Sequence, residues 1–292
     1  MASLRTRLGH ELFARVAGPD GPRHRERIHA TPGPRWFAPD SEIVRVHGDA
    51  AMFIGGIRAI LLQTMHPAAM QAVADHSGYR GDMWGRLART SHFLAVTTFG
   101  TAEHAEQSVR AVRTIHERVT GTMPDGTPYA ASDPHLLAWV HAAEVDSFLL
   151  AHQTYGAHPL DAAGCDAYVA QSGEVAARLG VIDPPRTVAE LRKVLDEFRP
   201  ELRATDEARA AVRFLVLHPD LPLAARPAYG VLIAAGVALM PRWTRIPLRL
   251  PWLPVSERTV IRVLGTLATG TIRWAMTSGV AEARELRASA RA

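Results

Sequence analysis

The chain has 292 residues, 47% of them hydrophobic, with a formal net charge of +4 and one cysteine. That apolar content supports a substantial core in one helical domain, and a lone cysteine excludes a disulfide framework and any cysteine-rich zinc site. Lys193 is the sole lysine, and the arginines form no dense or aromatic-studded basic run, so nucleic acid is not an expected partner.

In chain order, apolar periodicity predicts helices over 3–17, 49–65, 67–77, 82–99, 102–120, 134–155, 160–179, 187–199, 205–217, 226–240, 256–276 and 279–290. Gly78, Gly100, Gly121, Gly156 and Gly180 each follow such a run and read as stop signals. Asp133-Pro134 reads as a cap before a first-turn proline, and Thr187-Val-Ala-Glu190 as a capping box. No strand pattern of any length is expected. Residues 18–40, rich in Pro, Gly and Arg, read as an irregular arm on the surface. Residues 241–255 carry too many prolines for a helix, with Trp243 and Trp252 expected to pin that loop to the body. The expected organisation is a single all-α domain over 1–292: an N-terminal helix and arm (1–44), a core (45–240), then the Pro/Trp loop and C-terminal helices (241–292).

The N-terminal segment carries Arg5, Arg7 and Glu11 and does not read as a secretory signal. The most apolar stretches, Ala50–Met65 and Ala228–Met240, are shorter than the roughly 20 residues that span a bilayer. The expectation is a cytoplasmic protein, with peripheral membrane contact left open by the C-terminal third.

Two neighbouring helices place polar groups on apolar faces. On 102–120, Ala105, Val109, Val112, His116 and Val119 recur at spacings that form one face. His116 therefore points where the valines point. A core imidazole hydrogen-bonded to a carbonyl or carboxylate and an axial ligand to heme iron both suit that position. On 82–99, Arg86 and Thr90 are one turn apart with Phe93 beside them, and Arg89 lies next to Arg86. A salt-bridged helix edge accounts for them, and so does a site for a cofactor carboxylate or an oxygen species, since guanidinium is a permanent planar donor. His141 and Glu144 share a face with Leu137 and Phe148, but a di-iron site needs Glu-x-x-His on two helices, and Glu26–His29 is the only such pair. Cys165 reads as an inert thiol, Gly55-Gly56 as a close-packing point, and no nucleophile elbow or phosphate loop is present.

Arg86-x-x-Arg89-Thr90 followed one helix later by His116-x-x-Val119-x-Gly121 resembles the oxygenase family of bacterial latex-clearing proteins (rubber oxygenases) and fungal MpaB-type oxygenases. The likeness extends over roughly 45–240 and includes Leu61–Pro67 and Tyr129–Val140. It implies an all-helical fold binding a b-type heme, with His116 as proximal iron ligand, Arg86 and Thr90 on the distal side where oxygen binds, and His66 and Phe93 near the heme. Latex-clearing members can carry an iron-ligating lysine where this chain has Arg89, and arginine offers no lone pair to a metal. For the family's distal acid, Asp75 and Asp82 are candidates by proximity in sequence only. Those rubber-cleaving enzymes are secreted, which argues against rubber as the substrate here. The expected function is a heme-dependent oxidoreductase using dioxygen or a peroxide on a small or medium apolar substrate. A non-catalytic heme carrier or gas sensor, and a cofactor-free helical protein lying on a membrane, stay open.

Overall fold

The computed structural model describes residues 4–76, 78, 82–217 and 220–289. Its centre is a pair of helices apolar on nearly every side, α4 (Met52–Gln63) and α8 (Pro134–Tyr155), which pack along their length. Gly55 allows the close approach: a Cβ there would overlap Phe148 and Ala151. Gly56, expected to share that role, faces open space. Burying a charge between helices is costly unless it is paired, and Arg58 meets that requirement. It is 2% exposed, pairs with Asp146 at 2.7 Å, and donates to Ser147 Oγ at 2.6 Å and to the Leu239 carbonyl at 2.9 Å. One side chain thus joins α4, α8 and the end of α12 (Arg226–Ala238).

The other helices are α1 (Leu4–Ala17), α2 (Gly21–Ala30), α3 (Glu42–His47), α5 (Pro67–His76), α6 (Met83–Phe99), α7 (Ala102–Arg118), α9 (Ala162–Leu179), α10 (Val188–Phe198) and α11 (Asp206–Leu217). Short α13 (Arg242–Arg245) and α14 (Pro254–Ser256) precede a π-helical turn at Glu257–Ile261 and the long α15 (Arg262–Ser289). The main core, with Leu61, Met65, Trp139, Phe198, Val212 and Val237, lies between α4, α8 and the helices from α10 to α12. No described helix is long and apolar enough to cross a membrane.

The expected all-helical architecture holds, with corrections. The arm 18–40 contains α2, which buries Gly21 and Ile28 and packs on α6 and α15. Its apolar side is too sparse to show as a periodic stripe. α3 was also not expected. β1 (Thr120–Thr122) and β2 (Pro128–Ala130) form a small antiparallel hairpin, and Gly121 sits opposite Tyr129. Gly121 therefore ends no helix. It leaves room for the Tyr129 phenol, which a Cβ would overlap, and that phenol donates to Asp75 at 2.5 Å. Gly180 is the left-handed cap the sequence suggested (φ 113°), whereas Gly100 and Gly156 are extended. At α10, Thr187 accepts from the Glu190 amide, but Glu190 accepts from the Arg186 amide rather than that of Thr187. The two expected C-terminal helices are one, and the outer positions Ser3, Ser77 and Ala290 lie outside the described residues. Trp243 is packed into the core under Arg199, but Trp252 is 45% exposed and covered only by Arg242.

Candidate functional site

α6 starts where Asp82 accepts from the Gly85 amide at 2.9 Å, and α7 where Thr101 accepts from the His104 amide at 3.3 Å. Only Gly100 and Thr101 separate the two helices, so they pack as an antiparallel pair. The N-terminal half of α6 then lies beside the C-terminal half of α7. Both halves are only partly buried. No residue from Met83 to Ala95 is buried, and α7 buries only Ala105 and Val109. The pair packs on α1, α2, α3 and α9, with Arg15 over Trp84 and His24 stacked on His92, but does not pack broadly on the central α8. The apolar side chains Met83, Leu87, Phe93, Leu94 and Val112 are accordingly left half-buried.

His116 stands on α7 in this region. Its polar-face neighbours Arg110, Arg113 and Glu117 are exposed, as the helical pattern requires. Its Nδ1 is buried without a hydrogen-bond partner, and no described residue bonds the ring. The satisfied core histidine that the sequence also allowed is therefore not what forms. Burial lowers its pKa, which favours the neutral imidazole with a free lone pair.

On α6, Arg86 and Phe93 are half-buried, while Arg89 and Thr90 are exposed. Arg89 pairs with Asp82 at 3.2 Å. The two acids suggested for the distal side are both engaged: Asp82 with Gly85 and Arg89, Asp75 with Tyr129 and Gln71. Each is held by local partners, so neither presents a free carboxylate.

His66 is placed elsewhere. It sits at the α4–α5 junction against Trp139 and Phe198, with partners on α8 and after α10 rather than on α6 or α7. Burial lowers its pKa, partly offset by Glu201. Glu201 accepts from His135 Nε2 at 2.9 Å and lies 3.5 Å from His66 Nε2, which is too poorly aligned to count as hydrogen-bonded. These three side chains are close enough to hold a metal ion, their ligand atoms within 4.8 Å of one another. A carboxylate shared by two imidazoles accounts for them equally well.

A second polar group lies on α8. His141 Nε2 is buried without a partner, and burial pushes its pKa down to about 4. One turn on, Glu144 has no hydrogen bond to any described residue, and burial pushes its carboxyl up to about 7. Yet the residue keeps some accessible surface. Its neighbour Tyr168 on α9 is fully buried, its hydroxyl pushed up first by burial and then by Glu144. Tyr168 is 3.3 Å from His47 Nε2, and His47 Nδ1 is 2.8 Å from Thr98 Oγ1 on α6. Burial takes His47 down to about 3, so His47 and Tyr168 are uncharged at neutral pH.

Sequence reasoning placed His141 and Glu144 on one apolar face but assigned them no role, because a di-iron pattern was lacking. The signal that could have singled them out was that pairing itself: an acid and an imidazole one turn apart on a helix that is otherwise core. A buried group left without a partner costs roughly 1–3 kcal/mol, more if charged. His116 Nδ1 on α7 and His141 Nε2 on α8 are two such atoms, on helices that both pack on α9.

No curated protein and no solved structure matches the chain. The family model for the catalytic domain of the ER-bound oxygenase mpaB/B' and rubber oxygenases matches residues 44–274, most of the sequence, and the protein belongs to that oxygenase family.

Proposed function

We propose that this protein is a heme-dependent oxygenase acting on a small or medium apolar molecule. The observation that carries the reading is His116, a half-buried imidazole whose Nδ1 is enclosed with no partner among the described residues, beside half-buried apolar side chains of α6 and α7. A b-type heme fits these residues. Its largely apolar ring would lie against the half-buried apolar side chains of α6 and α7, and a neutral imidazole is among the ligands that hold its iron. His116 would hold the iron through a ring nitrogen. Heme supplies, when bound, a redox-active iron at which dioxygen or a peroxide is activated.

The remaining roles belong to the chain. Arg86 and Thr90 would donate hydrogen bonds toward the oxidant, stabilising negative charge as it develops. Arg89 stays a surface cation paired with Asp82, since guanidinium cannot ligate a metal. Glu144, with a carboxyl near neutrality, is suited to hold and release a proton at its carboxylate oxygen. The half-buried apolar side chains of α6 and α7 would bind substrate and keep water out.

Absorption spectra of the protein and of His116→Ala, purified from heme-sufficient cells, test the reading. A Soret band in the wild type that is lost in a folded His116→Ala variant is expected. A colourless wild type, or a variant with full heme stoichiometry, would overturn it. Added imidazole or azide should bind the resting protein without displacing residue 89.

A further inference from the structure

The helix α15 is apolar on two opposite sides. Its inner side buries Gly265, Thr269 and Ala275, with Tyr155 lying over Gly265. Its outer side, with the turn before it, presents Val260, Val263, Leu264, Leu267 and Trp274 to solvent, Leu267 at 61% exposure. Val260, Val263, Leu264 and Leu267, spaced i, i+3, i+4 and i+7, form one stripe roughly 10 Å long at 1.5 Å per residue. Trp274 lies about two turns on, past Gly270 and Thr271 and beside Arg5 of α1. The loop leading into the helix extends the stripe with Trp252, Leu253 and Val255, the last 76% exposed. Patches of this size on a protein surface mark interaction sites.

Charge identifies the partner. Residues 221–281 contain seven arginines and one acid, Glu257, whereas the rest of the chain is net negative. Glu257 is itself neutralised by buried Arg245 at 2.5 Å. Arg242, Arg249, Arg258 and Arg262 are exposed. Arg258, Arg262 and Trp252 also line a cavity of about 440 Å3 that opens beside the stripe, floored by Tyr155 and Leu239. Over residues 252–274 the sole acid is that paired Glu257, so a second copy pairing in register through this stretch would set arginine against arginine. Glu285, exposed on the same side, lies about five turns beyond Leu267. An anionic surface with an apolar interior satisfies both the stripe and its flanks. Exposed tryptophans suit the boundary between headgroups and acyl chains.

We propose that the outer side of α15 and the loop before it dock on an anionic phospholipid membrane. The apolar stripe lies in the headgroup boundary, and Arg258 and Arg262 receive a lipid phosphate at the mouth of their cavity. The docking needs no spanning helix and does not depend on the bound cofactor.

Flotation of the purified holoprotein with vesicles of phosphatidylcholine, alone or mixed with phosphatidylglycerol, tests this. Binding to the mixed vesicles, weakened by salt, is expected. Val263→Asp with Leu267→Asp should reduce partitioning about tenfold or more while leaving the melting temperature and the heme spectrum unchanged, because both side chains are exposed. Arg258→Gln with Arg262→Gln should remove the preference for phosphatidylglycerol. Inorganic phosphate should compete no better than chloride at equal ionic strength. Failure to float with either vesicle, or flotation indifferent to the aspartate pair, overturns the proposal. So does a dimer in sedimentation equilibrium that the same pair dissociates without any lipid binding.

Discussion

Replacing Glu144 by glutamine keeps the side chain's size and removes its charge. Burial raises this carboxyl from an ordinary 4.5 to about 7. In the folded chain it therefore holds a proton that the unfolded chain releases between those values. The sign follows: its contribution to stability is full below about pH 4.5 and is lost as pH rises through 7, leaving a constant penalty above. At 1.36 kcal/mol per pH unit the penalty is about 3 kcal/mol at pH 8 and under about 1 kcal/mol at pH 5. Glu144→Gln should escape it. Urea denaturation of the cofactor-free protein should show the variant more stable than wild type at pH 8, with the gap closing toward pH 5. A gap of equal size at both pH values would refute the reasoning. So would a variant less stable at pH 8, because Glu144 would then be a partnered carboxylate rather than an enclosed proton carrier.

Arg86→Ala and Thr90→Val should keep heme but turn over on the order of 100-fold more slowly, since each removes a donor toward developing charge. If they only brace α6, rates per heme will stay normal while melting temperatures fall. Gly121→Ala should cost about 1–3 kcal/mol by forcing the Tyr129 phenol out of place, and the cost should vanish in a Tyr129→Ala background. Arg245→Met should cost about 3–5 kcal/mol by removing the ion pair to Glu257 and the hydrogen bonds to the Ala238 and Met240 carbonyls, and Glu257→Leu in the same chain should recover only the part due to the uncompensated carboxylate, as chemical denaturation of the three variants would show.

Helix positions were largely legible in the sequence, because a helix that buries one side must repeat its apolar residues near 3.6. α7 and α8 end within two residues of expectation at each end. So was the polar face of α7 and the departure of His116 from it. α2, α3 and the small hairpin were not legible, since each is too short or too polar to carry a period of its own. They are stabilised by packing, as α2 is by α6 and α15.

The site divides along the same line. A sequence records which residues share a helix face, so His116 with its valines, and Glu144 with His141, could be read there. It does not record whether a face finds a partner. Only the tertiary structure leaves His116 Nδ1 and His141 Nε2 without one, encloses Glu144 beside Tyr168, and carries His66 away to Glu201 and His135. The same holds for α15, whose outer stripe is apolar enough for a core but is left facing solvent. Periodicity belongs to one helix and is local. Burial and the satisfaction of polar atoms depend on what several helices bring together, and that is decided by packing.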